Sequence, residues 1–162
     1  MGRKSTRENK NIYQTSREAA ELTREGAAEL LKFISSDRIE KIESEKSLPH
    51  PDEILAMADC YKNPLLCNYY CSHECPIGQE YVPEVKSKEL SQITLEMLAS
   101  LNSLDRQKAR LIEITVDGVI SEDEMEDFKH IQEQLEQISM AIDSLQLWMQ
   151  KAIVDGRIST EK

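Results

Sequence analysis

The sequence is poor in aromatic residues, glycine and proline. Its 162 residues include one Trp, two Phe, five Tyr, five Gly and five Pro. Few helix breakers, together with abundant Leu, Ile, Glu and Lys, favour helix. Apolar residues make up 40% of the chain, which is enough to bury a core in one ordinary domain or two small ones. The composition therefore predicts an all-α protein.

The chain also lacks long apolar runs. No run approaches 18 residues, and no apolar stretch resembling a secretion signal stands at the N-terminus. We therefore expect a cytoplasmic protein that does not span a membrane. Cytosolic thiols stay reduced, which disfavours a structural disulfide framework. Clustered cysteines in such a protein indicate metal binding, redox chemistry or burial.

Signatures of catalysis are missing as well. The sequence contains no Gly-rich phosphate loop, no nucleophile elbow and no HExxH pair. Its three histidines, His50, His73 and His130, are scattered along the chain. We therefore expect a protein that is not an enzyme.

Positive charge is scarce in the second half of the chain. The net charge is −10, and residues 61–162 carry 10 Lys or Arg against 18 Asp or Glu. Residues 1–60 carry 10 against 12. Any polyanion is therefore expected to meet the first half. Residues 1–10, MGRKSTRENK, have a local charge of +3 and nothing apolar after Met1, which predicts a flexible basic arm.

Helical patterns follow the arm. The first begins near Asn11, Thr23 is expected to cap the second, and Ser35 or Ser36 the third. Two prolines in SEKSLPHP mark a loop, after which Asp52 is expected to cap a fourth helix. Short helices joined by tight turns predict a compact helical unit over residues 11–62.

A set of residues in this unit matches a known pattern. They are Arg17 at the end of the first predicted helix, Leu22 and Thr23 at the start of the second, Ala28 within it, Ile39, Ile42 and Glu43 in the third, Pro49 in the loop, and Ile54, Leu55 and Ala58 in the fourth. With them, the segment from Arg17 to Tyr61 resembles the lambda-repressor-like (Cro/CI, xenobiotic-response-element) helix-turn-helix. Glu45 stands where that family usually has a loop glycine.

The resemblance implies a transcriptional regulator that binds double-stranded DNA. It implies that Thr23 and Arg24 contact phosphates at a helix N-terminus. The implied recognition helix would face DNA with Ser35, Ser36, Asp37, Arg38 and Lys41, because Ile39 and Ile42 turn inward. That helix, SSDRIEKIE, also carries three acidic residues. The alternative is that the fold serves as a non-enzymatic protein-docking adaptor without DNA contact.

The stretch CNYYCSHECP, residues 67–76, holds three of the four cysteines. Cys67 and Cys71 are four residues apart, so a helix that starts after Pro64 presents both thiols on one face. With Cys75 they provide three metal ligands, and Cys60 or His73 is a candidate fourth for zinc. An iron–sulfur cluster, a redox switch and a plain buried helix face are the other interpretations. Pro76 and Gly78 predict that the helix frays there.

The last third of the chain predicts a long helical hairpin over residues 89–154. In its second helix, apolar residues recur at alternating spacings of three and four, a heptad pattern. They are Phe128, Ile131, Leu135, Ile138, Ile142, Leu145, Met149 and Ala152. Gly118 supplies the reversal, and Ser121 with Glu124 predicts a capping box. IVDGRIST, residues 153–160, echoes TVDGVISE, residues 115–122.

The sequence thus predicts five parts: a basic arm (1–10), a helix-turn-helix domain (11–62), a cysteine-containing connector (63–88), an antiparallel hairpin for dimerisation or regulation (89–154) and a tail (155–162). The function that fits best is a prokaryotic or phage-type DNA-binding regulator or repressor acting as a homodimer. The docking adaptor stays open, as does a metal- or iron–sulfur-sensing regulator that uses the connector.

Overall fold

A computed structural model describes residues 10–159, and that part of the chain is helical without a strand, which confirms the all-α prediction. The predicted arm, apart from Lys10, lies outside these residues, as do the last three residues of the predicted tail. The described helices are α1 (Ile12–Ala19), α2 (Arg24–Leu31), α3 (Ser36–Glu43), α4 (Pro51–Cys60), α5 (Leu65–His73), α6 (Pro76–Tyr81), α7 (Leu90–Thr115) and α8 (Met125–Val154). None of them is long and apolar enough to cross a membrane.

Short polar side chains set the starts of the first three helices. The Asn11 side chain accepts a hydrogen bond from the backbone N–H of Gln14 at 3.0 Å, and Thr23 accepts one from Gly26 at 3.0 Å. Ser35 accepts from the backbone N–H of Arg38 at 3.2 Å. Each bond satisfies an N–H that the first helical turn leaves without a partner. The predicted caps at Thr23 and Ser35 are confirmed.

The cap predicted for the fourth helix is wrong. His50, rather than Asp52, precedes α4, and Pro51 occupies its first position. Proline suits that position because its φ is preset and it has no N–H to satisfy. The carboxylate that serves this helix start is Glu53, which accepts from the backbone N–H of His50 at 2.7 Å.

Helices α1 to α4 are each followed by a residue in the left-handed region that is not glycine. These residues are Glu21 (φ 59°), Lys32 (φ 62°), Glu45 (φ 60°) and Lys62 (φ 54°). Left-handed backbone reverses the chain direction after a helix, and a side chain with a Cβ is strained in it. Glu45 therefore has the conformation that a glycine would adopt without strain.

Replacing Glu45 with glycine is expected to raise the free energy of unfolding by about 0.5–1 kcal/mol, because it removes the left-handed strain at the end of α3. Urea denaturation of both proteins measures the change. The matched control is Glu40→Gly, within α3, which is expected to destabilise by about 1 kcal/mol through lost helix propensity. Equal effects of the two substitutions would contradict the assignment of strain to Glu45.

A buried apolar cluster holds α1 to α5 together. Its members are Tyr13, Ala27, Leu31, Ile34, Ile39, Ile42, Ile54, Met57, Ala58, Tyr61 and Leu66. Beside this cluster, Glu43 is buried at the end of α3 and accepts two hydrogen bonds from Arg17 of α1, at 2.6 and 3.0 Å. Arg24 of α2 donates to the same carboxylate at 2.7 Å. One carboxylate therefore ties three helices to each other.

The described residues divide into two compact units. The first contains the residues up to Glu84 together with those from Gln150 onward, and the second is Val85–Met149. Helix α5 packs against α4, and its Leu66 belongs to the buried cluster, so α5 is part of the first unit's core. The last turn of α8 also belongs to that unit, where Lys151 donates to the backbone carbonyl of Lys62 at 3.0 Å.

Since α5 stops at His73, the helix that carries Cys67 and Cys71 ends before Pro76, as predicted. A second short helix, α6, begins there, with Pro76 at its first position and Cys75 just before it. Gly78 of α6 lies against the backbone of α5: a Cβ built on it would be 2.1 Å from the carbonyl oxygen of Cys71. Position 78 therefore requires glycine, because the backbones of α5 and α6 are in direct contact there and leave no space for a Cβ.

The second unit contains α7 and the greater part of α8. Gly118 (φ 74°) reverses the chain between them, and Arg110 of α7 donates to Asp127 of α8 at 2.6 Å. The Glu124 side chain accepts from the backbone N–H of Ser121, but α8 begins only at Met125, four residues beyond the predicted cap. In the repeated motif, Gly156 (φ 70°) ends α8 as Gly118 ends α7.

The heptad stripe of α8 does not lie in one environment. Ile131 and Ala152 are buried, whereas Leu135, Ile142 and Met149 are exposed. Phe128, Ile138 and Leu145 are half-buried. Buried positions of α8 outside the predicted stripe are Gln134, Ala141 and Ser144. Residues spaced alternately by three and four form a stripe that borders two adjacent faces of the helix. Periodicity alone therefore could not tell which of these faces is buried.

Candidate nucleic-acid interface

Helices α2 and α3 pack against one another and are joined by residues 32–35. Ala27 is fully buried on α2, and Ile39 and Ile42 face the core from α3. The N-caps of the two helices, the first turn of α2 and the first two turns of α3 contain the residues that the sequence associated with DNA. Their backbone N–H groups and helix dipoles give these ends a partial positive charge.

Arg38, an expected base-reading residue, is half-buried and bonded to other residues of the protein. Its guanidinium forms two hydrogen bonds with the Glu53 carboxylate, at 2.7 and 2.6 Å. It also donates to the Ser47 hydroxyl at 2.6 Å and to the Leu48 carbonyl at 2.9 Å. The hydrogen bonds from Arg38 to this carboxylate are the largest cause of the lowered pKa of Glu53. Arg38 thus joins α3, the following loop and α4, and it has little capacity left for a base.

Arg24, the expected phosphate contact, is engaged only in part. Its Nε donates to Glu43, while its terminal nitrogens donate to no other described residue. About a third of the side chain is exposed. Arg24 can therefore offer these terminal N–H groups to a phosphate without leaving Glu43.

The exposed side of α3 presents three side chains without a partner. The side chains of Ser36, Asp37 and Lys41 form no hydrogen bond or ion pair with any other described residue. Asp37 and Lys41 are exposed, and Ser36 is half-buried. The hydroxyls of Thr23 and Ser35 serve as helix caps, which leaves them able to donate to an acceptor outside the protein.

The surroundings of α3 are mixed in character. Glu40 pairs with Lys46 at 3.1 Å, and Glu25 and Glu29 are exposed on α2. Leu30 and Phe33, at the end of α2 and in the following turn, are 60% and 61% exposed. Their exposure was not predicted. Exposed apolar side chains at the end of a helix are candidates for contact with another molecule.

The structure does not bring the cysteines together as metal ligands. All four are reduced and half-buried, and the part of the chain that the structure describes holds no group of three or more His, Cys, Asp or Glu side chains placed for a metal ion. Burial raises the pKa of the Cys60 and Cys67 thiols.

His73, the candidate fourth ligand, belongs to a local aromatic contact. Its ring stacks on Tyr69 with 4.3 Å between centroids, and Tyr69 meets Tyr13 edge to face at 6.0 Å. His73 Nδ1 lies 2.9 Å from the Ser72 hydroxyl oxygen and 3.1 Å from the Tyr69 carbonyl oxygen. These contacts link α5 to α1, so His73 has a packing role here.

Two acidic residues that bind the arginines of this surface were not predicted as their partners. Glu53 holds Arg38 from 15 positions away, and Glu43 holds Arg24 from 19. No local pattern marks such pairs, although two acidic residues among apolar core positions hint at buried partners. Comparison of the chain with protein-family models, curated proteins and solved structures finds no match.

Proposed function

We propose that this protein is a DNA-binding transcriptional regulator whose helix α3 enters the major groove. The observation that carries the proposal is that Ser36, Asp37 and Lys41 extend from the first two turns of α3 without a described partner. Side chains at these positions of a docked helix reach base edges. The contacts of Arg17 and Glu43, and the left-handed backbone of Glu45, support the lambda-repressor-like arrangement.

The contacts divide by chemistry. Lys41 donates to guanine, and Asp37 accepts from the amino group of cytosine. Arg24 and the N–H groups at the start of α2 bind phosphate, as the dipole of that helix favours. Arg38 is a positioning residue, because its guanidinium fixes α3 relative to α4. We also propose that α7 and α8 pair as an antiparallel hairpin and that two copies read two half-sites.

Replacing Lys41 with alanine is expected to weaken binding to a selected operator by about 1–3 kcal/mol and to relax the preference at one base pair. Both effects are expected because the substitution removes a charged donor to a base edge. An operator is first selected from a random duplex library, and fluorescence anisotropy then measures affinity at several salt concentrations.

The matched control is Lys46→Ala, an exposed lysine in the loop after α3. It can contact phosphate at most, so its removal lowers affinity for all duplexes alike. A Lys41→Ala protein that keeps the wild-type sequence preference would contradict base contact by α3. If the wild-type protein selects no sequence and binds none at low salt, the proposal as a whole fails.

The second candidate is the docking adaptor, which the exposed Leu30 and Phe33 favour. An acidic chain with apolar side chains beside α3 suits a protein partner better than a phosphate backbone. Phe33→Ser separates the two functions. It leaves selected DNA binding within about twofold if α3 reads DNA, since Phe33 lies outside the side chains that read bases.

A further inference from the structure

Helix α8 carries a row of exposed side chains that are all uncharged. They are Gln132, Leu135, Ser139, Ile142, Gln146 and Met149, spaced by three and four, and we call them the α8 strip. Leu135, Ile142 and Met149 are 46%, 42% and 46% exposed. The strip lies wholly within the second unit, and at 1.5 Å per residue it is about 26 Å long.

Absence of charge on this strip contrasts with the rest of the unit. Residues 85–149 carry 6 Lys or Arg against 13 Asp or Glu, and Glu133, Glu136 and Asp143 stand next to the strip on α8. Depletion of charge at the centre with charge at the rim is the composition of protein interfaces. Leu135, Ile142 and Met149 repeat every seven residues, the period of a helix that packs along another helix.

The charge distribution also indicates which kind of molecule binds the strip. A basic protein would be recognised through the acidic side chains and not through a neutral row, and those same side chains would repel the phosphates of a nucleic acid. A second copy of this unit has the same excess of acidic residues, so two copies can approach only where both are neutral. The strip provides that place, and a symmetric contact requires the same patch on both partners.

Apolar side chains next to the strip extend it along α8. Phe128, Ile138 and Leu145 are half-buried on the same helix. A specific interface needs about 1,000 Å² in total, which is about 500 Å² from each copy.

We propose that a second copy of this chain docks on the α8 strip and forms a symmetric homodimer through helix α8. The proposal names the partner surface of the regulator proposed above, but its test needs no DNA. Two copies of the 18.6 kDa chain are expected to sediment as a dimer at micromolar concentration.

Ile142→Glu tests the strip. It places a charge at the centre of the contact and is expected to raise the dimer dissociation constant by about 100-fold, as sedimentation equilibrium measures it. The matched control is Met140→Glu: Met140 is 44% exposed on the same helix but lies off the strip, and its variant is expected to stay dimeric. Ile142 is exposed, so the charge is tolerated in a folded monomer, and circular dichroism verifies equal helix content.

Ile142→Ser provides a milder second variant, expected to raise the dissociation constant about tenfold, should the glutamate variant not fold. A wild-type protein that is monomeric up to about 100 μM would overturn the proposal, since such a contact would be too weak to matter. So would equal weakening by the substitutions at 140 and 142. Dimerisation without selected DNA binding refutes the proposed function alone, and DNA binding by a monomer refutes the strip alone.

Discussion

Replacing Glu43 with alanine is expected to lower the free energy of unfolding of the first unit by about 3–5 kcal/mol. Glu43 accepts three hydrogen bonds from Arg17 and Arg24 while it is almost fully buried. Without it, the guanidinium of Arg17 stays buried with no counter-charge. Arg17 keeps only its bond to the Leu22 carbonyl, at 2.6 Å. The loss approaches the entire stability of a marginal domain.

Two further variants test whether the buried, unpaired charge of Arg17 causes this loss of stability. Glu40→Ala removes an acid of the same helix that forms an ion pair with the exposed Lys46, and is expected to cost less than about 1 kcal/mol. Arg17→Met combined with Glu43→Leu removes both buried charges and should be markedly more stable than Glu43→Ala, because apolar side chains can replace a buried pair. Urea unfolding followed by circular dichroism measures all of them. A Glu43→Ala protein as stable as Glu40→Ala would show that the three helices do not depend on this carboxylate.

Replacing Gly78 with alanine is expected to lower the free energy of unfolding by about 3 kcal/mol, which is near the upper end for overpacking. The added Cβ would stand 2.1 Å from the carbonyl oxygen, 2.6 Å from the carbonyl carbon and 2.8 Å from the Cα of Cys71. Each of these atoms belongs to the backbone of α5, which cannot give way as the end of a side chain does. Helix α6 must therefore move away from α5.

Gly26→Ala is the matched control, because Gly26 is also helical but its nearest neighbour is the Thr23 hydroxyl at 3.3 Å. The Thr23 side chain can shift by the few tenths of an ångström required, and alanine favours helix. We therefore expect the free energy of unfolding to change by no more than about 1 kcal/mol. Thermal unfolding in parallel gives the comparison. Equal stability of the two alanine variants would contradict the close approach of α5 and α6.

The sequence predicts the helices well where local chemistry sets them. Thr23 and Ser35 are caps because their hydroxyls accept hydrogen bonds from N–H groups three residues away, and Gly118 ends α7 because its conformation is left-handed. These are contacts within a few residues, so they are readable along the chain. Ile39 and Ile42 face the core as their spacing indicates.

The sequence does not predict contacts between distant parts of the chain. The engagement of Arg38 with Glu53, and the approach of Gly78 to Cys71, depend on how helices meet. Periodicity also left two faces of α8 as candidates for burial, and tertiary packing placed Leu135 and Ile142 outside. For the cysteines, spacing suggested shared ligation, whereas ligation requires convergence of three side chains in space.

The three unengaged side chains of α3 have an evolutionary consequence. Ser36, Asp37 and Lys41 have no described partner, so substitutions there are expected to leave stability almost unchanged. Arg38 is different, since changing it would leave the Glu53 carboxylate without its guanidinium. Under selection for a new binding target, variation can accumulate at positions 36, 37 and 41 while position 38 stays constant. Related chains with different targets should therefore differ first at those three positions.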